Sequence, residues 1–313
     1  MPVVLDPDAA AVYKAVQEAG RPAYETLTAP EAREYYRAAR VVSNPEPPAL
    51  ESSKPLAIPA PHGTIPARIY TPKTLRKADG LAQCLVFFHG GGWVFGDLDT
   101  HEVVCQKLAH EGELIVISVD YRLAPEHKFP AAVDDAVTAT RWVATNAKDL
   151  GIDASRLVVG GDSAGGNLAA VVALTARDGG PKLAGQLLIY PATEFSRRHP
   201  SHRDPETSVL LTHSVIGWCA NHYLGGADGS DWRISPARAK DFAGLPPAYV
   251  LTAGADPLRD EGDEYAKFLK DADVDVTYRH FPGQFHGFFT MGKLLNQANV
   301  AVSEISAWLK ALG

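Results

Sequence analysis

The sequence predicts an α/β protein built on a largely parallel sheet, and two features carry that expectation. Beyond about residue 50, short β-rich runs at 84–88, 114–119, 157–159, 186–189, 249–251 and 274–278 alternate with helical patterns. Several of these runs are apolar at successive positions, as parallel strands covered on both faces require.

Ahead of the alternation, residues 7–43 read as two helices. The second opens with Thr28-Ala-Pro-Glu31, a capping box with proline at the first helical position, and Tyr35, Tyr36 and Val42 give it an apolar side. The proline-rich stretch 44–48 cannot continue that helix and marks a linker, placing a boundary near 45–55. Later, 212–223 interrupts the alternation with a helix carrying Val215, Ile216, Cys219 and Tyr223 on one side, and Gly225-Gly226 ends it. Leu294, Leu295, Ala298, Val302, Ile305 and Leu309 predict a C-terminal helix with one apolar stripe.

Composition narrows the function. In 313 residues, 46% hydrophobic and 21% charged content is enough for a large buried core. A net charge of −7 without a dense basic run argues against a nucleic-acid partner. Cys84, Cys105 and Cys219 are too widely spaced for a disulfide framework or a CxxC site and read as small buried hydrophobes. No stretch is long enough to span a membrane, and the N-terminus lacks the pattern of a signal peptide, so the expected location is cytoplasmic.

Two glycine motifs point to chemistry. Gly161-Asp162-Ser163-Ala164-Gly165 lies between the run at 157–159 and a helical pattern over 167–177, the strand-to-helix context of a nucleophile elbow. The pattern alone is weak, since GxSxG arises by chance in about one such chain in ten. Its glycines remove side chains that would clash with nearby backbone at a tight, strained turn. His89-Gly90-Gly91-Gly92 directly follows the run at 84–88 and is much rarer by chance. A glycine loop brings bare N–H groups against a tetrahedral oxyanion, so Gly91, Gly92 and Ala164 are the candidate donors. His89 is expected to fix that loop by a hydrogen bond.

Eleven histidines compete for the base. His286 stands in Pro282-Gly-Gln-Phe-His-Gly287, expected as a turn after the last strand, where strand-end loops gather; His280, inside that strand, is the weaker candidate. Asp256 follows 249–255 at another strand end, whereas Asp260, Glu261, Asp263 and Glu264 are expected to form a solvated helix face. The order Ser163, Asp256, His286 is the chain order of the triads built on nucleophile elbows. Trp93, Phe95, Tyr190, Phe195, Phe285 and Phe288 flank these motifs; the expected substrate contacts are Trp93, Tyr190, Phe285 and Phe288.

From about residue 64 to the C-terminus, the HGGG loop at 89–92 and the GDSAGG elbow at 161–166 resemble the hormone-sensitive-lipase-like carboxylesterases of the α/β-hydrolase superfamily. Tyr121-Arg-Leu-Ala-Pro-Glu-His127 is similar to that family's turn after a central strand, Asp256-Pro-Leu-Arg-Asp-Glu-Gly262 to its acid loop, and His286-Gly-Phe288 to its histidine loop. The resemblance implies an α/β-hydrolase fold with a mostly parallel eight-stranded sheet and a helical cap. The cap would combine residues 1–50 with an insertion at 194–226 in a catalytic domain spanning 51–313. It further implies hydrolysis of short-chain acyl esters without cofactor or metal, with a small-molecule ester as partner and a homodimer as a common assembly. An amidase, lactonase or deacetylase would use the same triad. A non-catalytic small-molecule receptor of similar sequence would lack the histidine, which is present here as His286.

Overall fold

A computed structural model describes residues 3–195 and 199–312. The two leading helices are α1 (Pro7–Glu18) and α2 (Ala29–Ser43). The capping box at the start of α2 is complete: the Glu31 carboxylate accepts the Thr28 N–H at 2.8 Å, and Thr28 Oγ1 accepts the Glu31 N–H at 3.4 Å. Ala29 takes the first helical position, so Pro30 falls one residue later than expected, where its missing N–H is equally harmless.

The sheet begins with the hairpin β1 (Ser52–Ala60) and β2 (Gly63–Thr71), followed by the two-residue β3 (Lys77–Ala78) and then β4 (Leu81–Phe88). Strands and helices then alternate as α3 (Glu102–Gly112), β5 (Ile115–Val119), α4 (Ala131–Thr145), β6 (Ile152–Asp162), α5 (Ala164–Arg177) and β7 (Gly185–Ile189). After the interrupting helix α6 (His213–Leu224) come β8 (Ala248–Ala255), α7 (Arg259–Asp271), β9 (Val276–Phe285) and α8 (Asn296–Ala311). Spatially the order is β1-β2-β5-β4-β6-β7-β8-β9; all pairings from β5 to β9 are parallel, and those involving β1 and β2 are antiparallel. β3 pairs only with β4 and makes a short ninth strand beside the eight expected.

Why the central runs are apolar at every position is visible in the two cores. Along β4, Cys84, Val86 and Phe88 enter one core while Leu85 and Phe87 enter the other. The first core is covered by α2, α4, α5, α6 and α7, and the second by α1, α3 and α8. The three cysteines are unpaired and buried. Among the described residues no helix is long and apolar enough to cross a membrane.

Three local expectations are corrected. Leu294 precedes α8 and is 38% exposed, so the stripe starts with Leu295, whose burial closes the helix entry. The last strand begins at Val276 and continues to Phe285, leaving His286 immediately after it with no separate turn in between. The acidic face on α7 is not uniformly solvated: Glu261 is buried, because its helix packs against the segment that leaves β7.

The cap box offers a direct check on the local reading. Thr28→Ala is expected to lower folding stability by about 1 kcal/mol in denaturant titration; an unchanged midpoint would show that the cap contributes nothing.

Candidate functional site: a serine elbow beneath a capped cavity

Ser163 occupies the bend between β6 and α5 with φ 56° and ψ −117°, a conformation that costs a non-glycine residue on the order of 1–3 kcal/mol and persists only where its surroundings enforce it. Its N–H donates to Ile189 O at 2.8 Å. A Cβ on Gly161 would stand 2.3 Å from the Phe88 carbonyl oxygen, and one on Gly165 only 1.9 Å from it. Both glycines are therefore demanded by the close approach of β4 to the elbow.

His286 follows β9 directly and spans the two partners expected for it. Its Nδ1 lies 2.7 Å from Asp256 Oδ2, and its Nε2 lies 2.8 Å from Ser163 Oγ. The Asp256 carboxylate can only accept, so Nδ1 carries the proton and Nε2 presents a lone pair to the serine hydroxyl. Asp256 is fully buried at the end of β8, and its other oxygen accepts the Leu258 N–H at 2.8 Å. Three strand ends, β6, β8 and β9, thus supply the three groups at one edge of the sheet.

The glycine loop sits beside them. Among the described residues, the N–H groups of Gly91 and Gly92 have no hydrogen-bond partner, and Ala164 opens α5, where the leading N–H groups are left over by helix geometry. Gly91 and Gly92 adopt φ of 124° and 58°. The Gly90 N–H donates to Asp162 Oδ1 at 2.8 Å, which ties the loop to the residue before Ser163. His101 Nε2 lies 3.2 Å from the same oxygen. Burial acts to raise the Asp162 carboxyl, yet His101 and the Gly90 N–H outweigh it and hold the group below its ordinary range.

His89 is fully buried and donates from Nδ1 to Gly90 O at 2.8 Å. It stacks on Tyr121, whose hydroxyl donates to His89 O at 2.7 Å. It therefore fixes the loop rather than facing the cavity. The turn at 121–127 closes around the same spot through Ala124 N–H to Trp93 O at 2.8 Å, and His127 points into solvent.

A cavity of about 480 Å³ opens above Ser163 and His286. Its wall takes residues from α1, α2 and α6 as well as Gly91 and Gly92, and is mostly apolar, with Tyr24, Phe95, Leu211, Val215 and Ile216 among the contributors. Trp93 lines it, stacked on Tyr223 at 4.4 Å, and Phe95 and Phe195 reach it too. Tyr190, Phe285 and Phe288 do not. Strand alternation turns Phe285 into the second core, and Tyr190 and Phe288 are buried there as well, with the Tyr190 ring 4.6 Å from that of His286. Tyr190 backs the histidine from the side away from the cavity, with the Phe288 ring 6.0 Å from that of Tyr190.

Asp162, Glu261 and His202 carry polar structure that the motif reading did not assign. Glu261 Oε1 accepts the Thr193 and Glu194 N–H groups at 2.6 and 3.3 Å, and Oε2 pairs closely with His202. Burial nevertheless pushes the Glu261 carboxyl up. A carboxylate between Gly161 and Ser163 at the end of an apolar strand, as Asp162 is, was the available sequence signal, because such a charge must have a buried partner. Nothing local marked His202, which lies 59 residues from its partner.

Known proteins share this fold. The α/β hydrolase fold family matches residues 85–290. The chain belongs to that family. It is 44% identical over 264 residues to the carboxylic ester hydrolase LipN of Mycobacterium tuberculosis, covering 82% of this chain and 69% of that one. It is 39% identical over 307 residues to an ethyl acetate hydrolase of Pseudomonas putida, with 94% and 95% of the two chains covered. The crystal structure of an α/β hydrolase enzyme from the metagenome of Lake Arreo, Spain, superposes with a TM-score of 0.93 at 41% identity over 98% of both chains.

His89 gives this family member a testable acid sensitivity. Burial, and after it the charge of His101, push its pKa down from 6.5 to about 4. Between those values the unfolded chain binds a proton that the folded chain refuses, so stability is lost as pH falls through that window. From about pH 7 to about pH 4 the wild type is expected to lose about 3 kcal/mol more folding stability than His89→Gln. Parallel pH profiles for the two proteins would contradict the buried neutral histidine.

Proposed function

We propose that this chain is a carboxylesterase that hydrolyses short-chain acyl esters through an acyl-serine intermediate. The observation that carries the reading is the pair of contacts made by His286, 2.8 Å to Ser163 Oγ and 2.7 Å to Asp256 Oδ2, at the floor of an apolar cavity. The ester hydrolases among its relatives support the same chemistry.

In this mechanism Ser163 Oγ attacks the ester carbonyl carbon while His286 Nε2 takes its proton. The carbonyl oxygen becomes an oxyanion, stabilised by the N–H groups of Gly91, Gly92 and Ala164; each such donor is worth about 3 kcal/mol of barrier. The carbon–oxygen bond to the alcohol then breaks, and the imidazolium returns its proton to the departing alkoxide. A water molecule, deprotonated by His286, attacks the acyl carbon; the bond to Ser163 Oγ breaks, the imidazolium returns its proton to Oγ, and the acid is released. Asp256 keeps Nδ1 protonated throughout and stabilises the transient imidazolium. Neither metal nor cofactor takes part.

Residues 1–50 and 194–226 act as the cap, of which 1–2 and 196–198 lie outside the described residues. These segments, helices and loops together, give the cavity most of its wall and keep bulk water from the reacting atoms. A volume of about 480 Å³ suits a small ester. A receptor would need the cavity and loop but not a histidine within hydrogen-bond reach of the serine.

Ser163→Ala is expected to reduce kcat on a short p-nitrophenyl ester by about 10⁴-fold or more, with an unchanged thermal midpoint. Near-wild-type turnover in that variant would overturn the assignment. A series of ethyl esters is expected to peak at short acyl chains; uniform rates up to long chains would contradict the size reading.

A further inference from the structure

One buried fixed charge stands in the cavity wall with no counter-ion among the described residues. Arg40, in the last turn of α2, is 7% exposed and lines the same cavity as Ser163 and His286. Its Nη2 donates to the Tyr36 hydroxyl at 3.0 Å, its Nη1 donates to Thr290 Oγ1, and its guanidinium lies 4.5 Å from the centre of the Tyr36 ring. Nε has no acceptor. Of five N–H donors, only two have named partners, and both partners are neutral.

Among the described residues no carboxylate pairs with Arg40. Asp162 is the carboxylate whose charge acts on it, but Asp162 is already engaged by the Gly90 N–H and by His101. Glu25 shares the wall without forming an ion pair with it. A lysine so placed could release its proton, whereas a guanidinium stays charged. Retaining an unpaired buried cation is costly unless something brings a negative charge to it.

We propose that Arg40 is an anion subsite of the catalytic cavity and takes the free carboxylate of an ester substrate that carries one acid group. The proposal rests on the esterase reading, since the anion enters a cavity whose floor is Ser163 and His286. A planar carboxylate matches the open donors of the guanidinium fork. A phosphate dianion fits less well, because the buried acids Asp162, Glu194 and Glu261 border the same cavity and oppose a second negative charge. The apolar remainder of the wall holds the carbon chain between the two polar ends. The reaction is ordinary hydrolysis: the ester C–O bond breaks, water supplies hydroxyl to the acyl carbon and hydrogen to the alcohol, and the distal carboxylate is unchanged.

The experiment compares monoethyl esters of succinate, glutarate, adipate and suberate with neutral ethyl esters of equal chain length, and repeats the comparison with acetoxy-alkanoates, which place the carboxylate on the alcohol side. The kcat/KM ratio of acid-bearing to neutral ester is expected to be about ten- to a hundredfold higher in the wild type than in Arg40→Met, with Arg40→Lys between them. The side and chain length that peak locate the subsite relative to Ser163. Equal ratios in wild type and Arg40→Met across every series overturn the proposal, and should Arg40→Met not fold, equal ratios in wild type and Arg40→Lys overturn it. Calorimetric titration of Ser163→Ala with adipate and with inorganic phosphate needs no turnover and so separates this proposal from the esterase reading. Adipate binding that weakens at least tenfold when Arg40→Met is added supports the subsite; no adipate binding, or tighter binding of phosphate, overturns it.

Discussion

Backbone contact between the end of β4 and the elbow after β6 is the constraint from which the site follows. Phe88 and Gly161 are register partners in adjacent parallel strands, and the Phe88 carbonyl presses so closely on Gly161 and Gly165 that neither has room for a Cβ. The same contact fixes the positive φ of Ser163 and starts the glycine loop one residue beyond Phe88. Nucleophile and oxyanion donors are thereby placed together by main-chain packing, before any side chain of the cavity contributes. Rigid placement of this kind is what electrostatic preorganisation requires.

Buried carboxylates then secure the loops around that contact. Asp162 holds the Gly90 N–H, Asp256 holds the Leu258 N–H and the His286 ring, and Glu261 holds two N–H groups where the chain leaves β7, while pairing with His202. Each charge is satisfied by donors whose positions it fixes in return. Arg40 stands apart from this pattern because its named partners are neutral. In the proposed mechanism, the floor of the cavity is thus rigid and polar while its wall is mostly apolar and made largely by helices and loops outside the sheet.

Much of this was legible in the sequence because it depends on local rules. Doubly covered parallel strands read as continuous apolar runs, and the GDSAGG and HGGG segments declare backbone crowding through their glycines. The Thr28 box and the Gly225 terminator of α6 were readable for the same reason. Side-chain direction was less accessible. Phe285 and Phe288 adjoin His286 in sequence, yet the alternation of β9 and the turn after it bury them on the opposite side of the sheet from the cavity. Glu261 resembled its acidic neighbours on α7, and only the packing of that helix against the chain leaving β7 distinguishes it. Contacts such as Arg40 to Thr290, 250 residues apart, leave no local trace.

The central claim is that Ser163 is made nucleophilic by His286 in a preformed site. Its most direct test is covalent: treat the protein with a fluorophosphonate and map the adduct by peptide mass. One label per chain on Ser163 is expected, with the rate of labelling falling by orders of magnitude in His286→Asn. Labelling at another residue, or an undiminished rate in His286→Asn, would contradict the account.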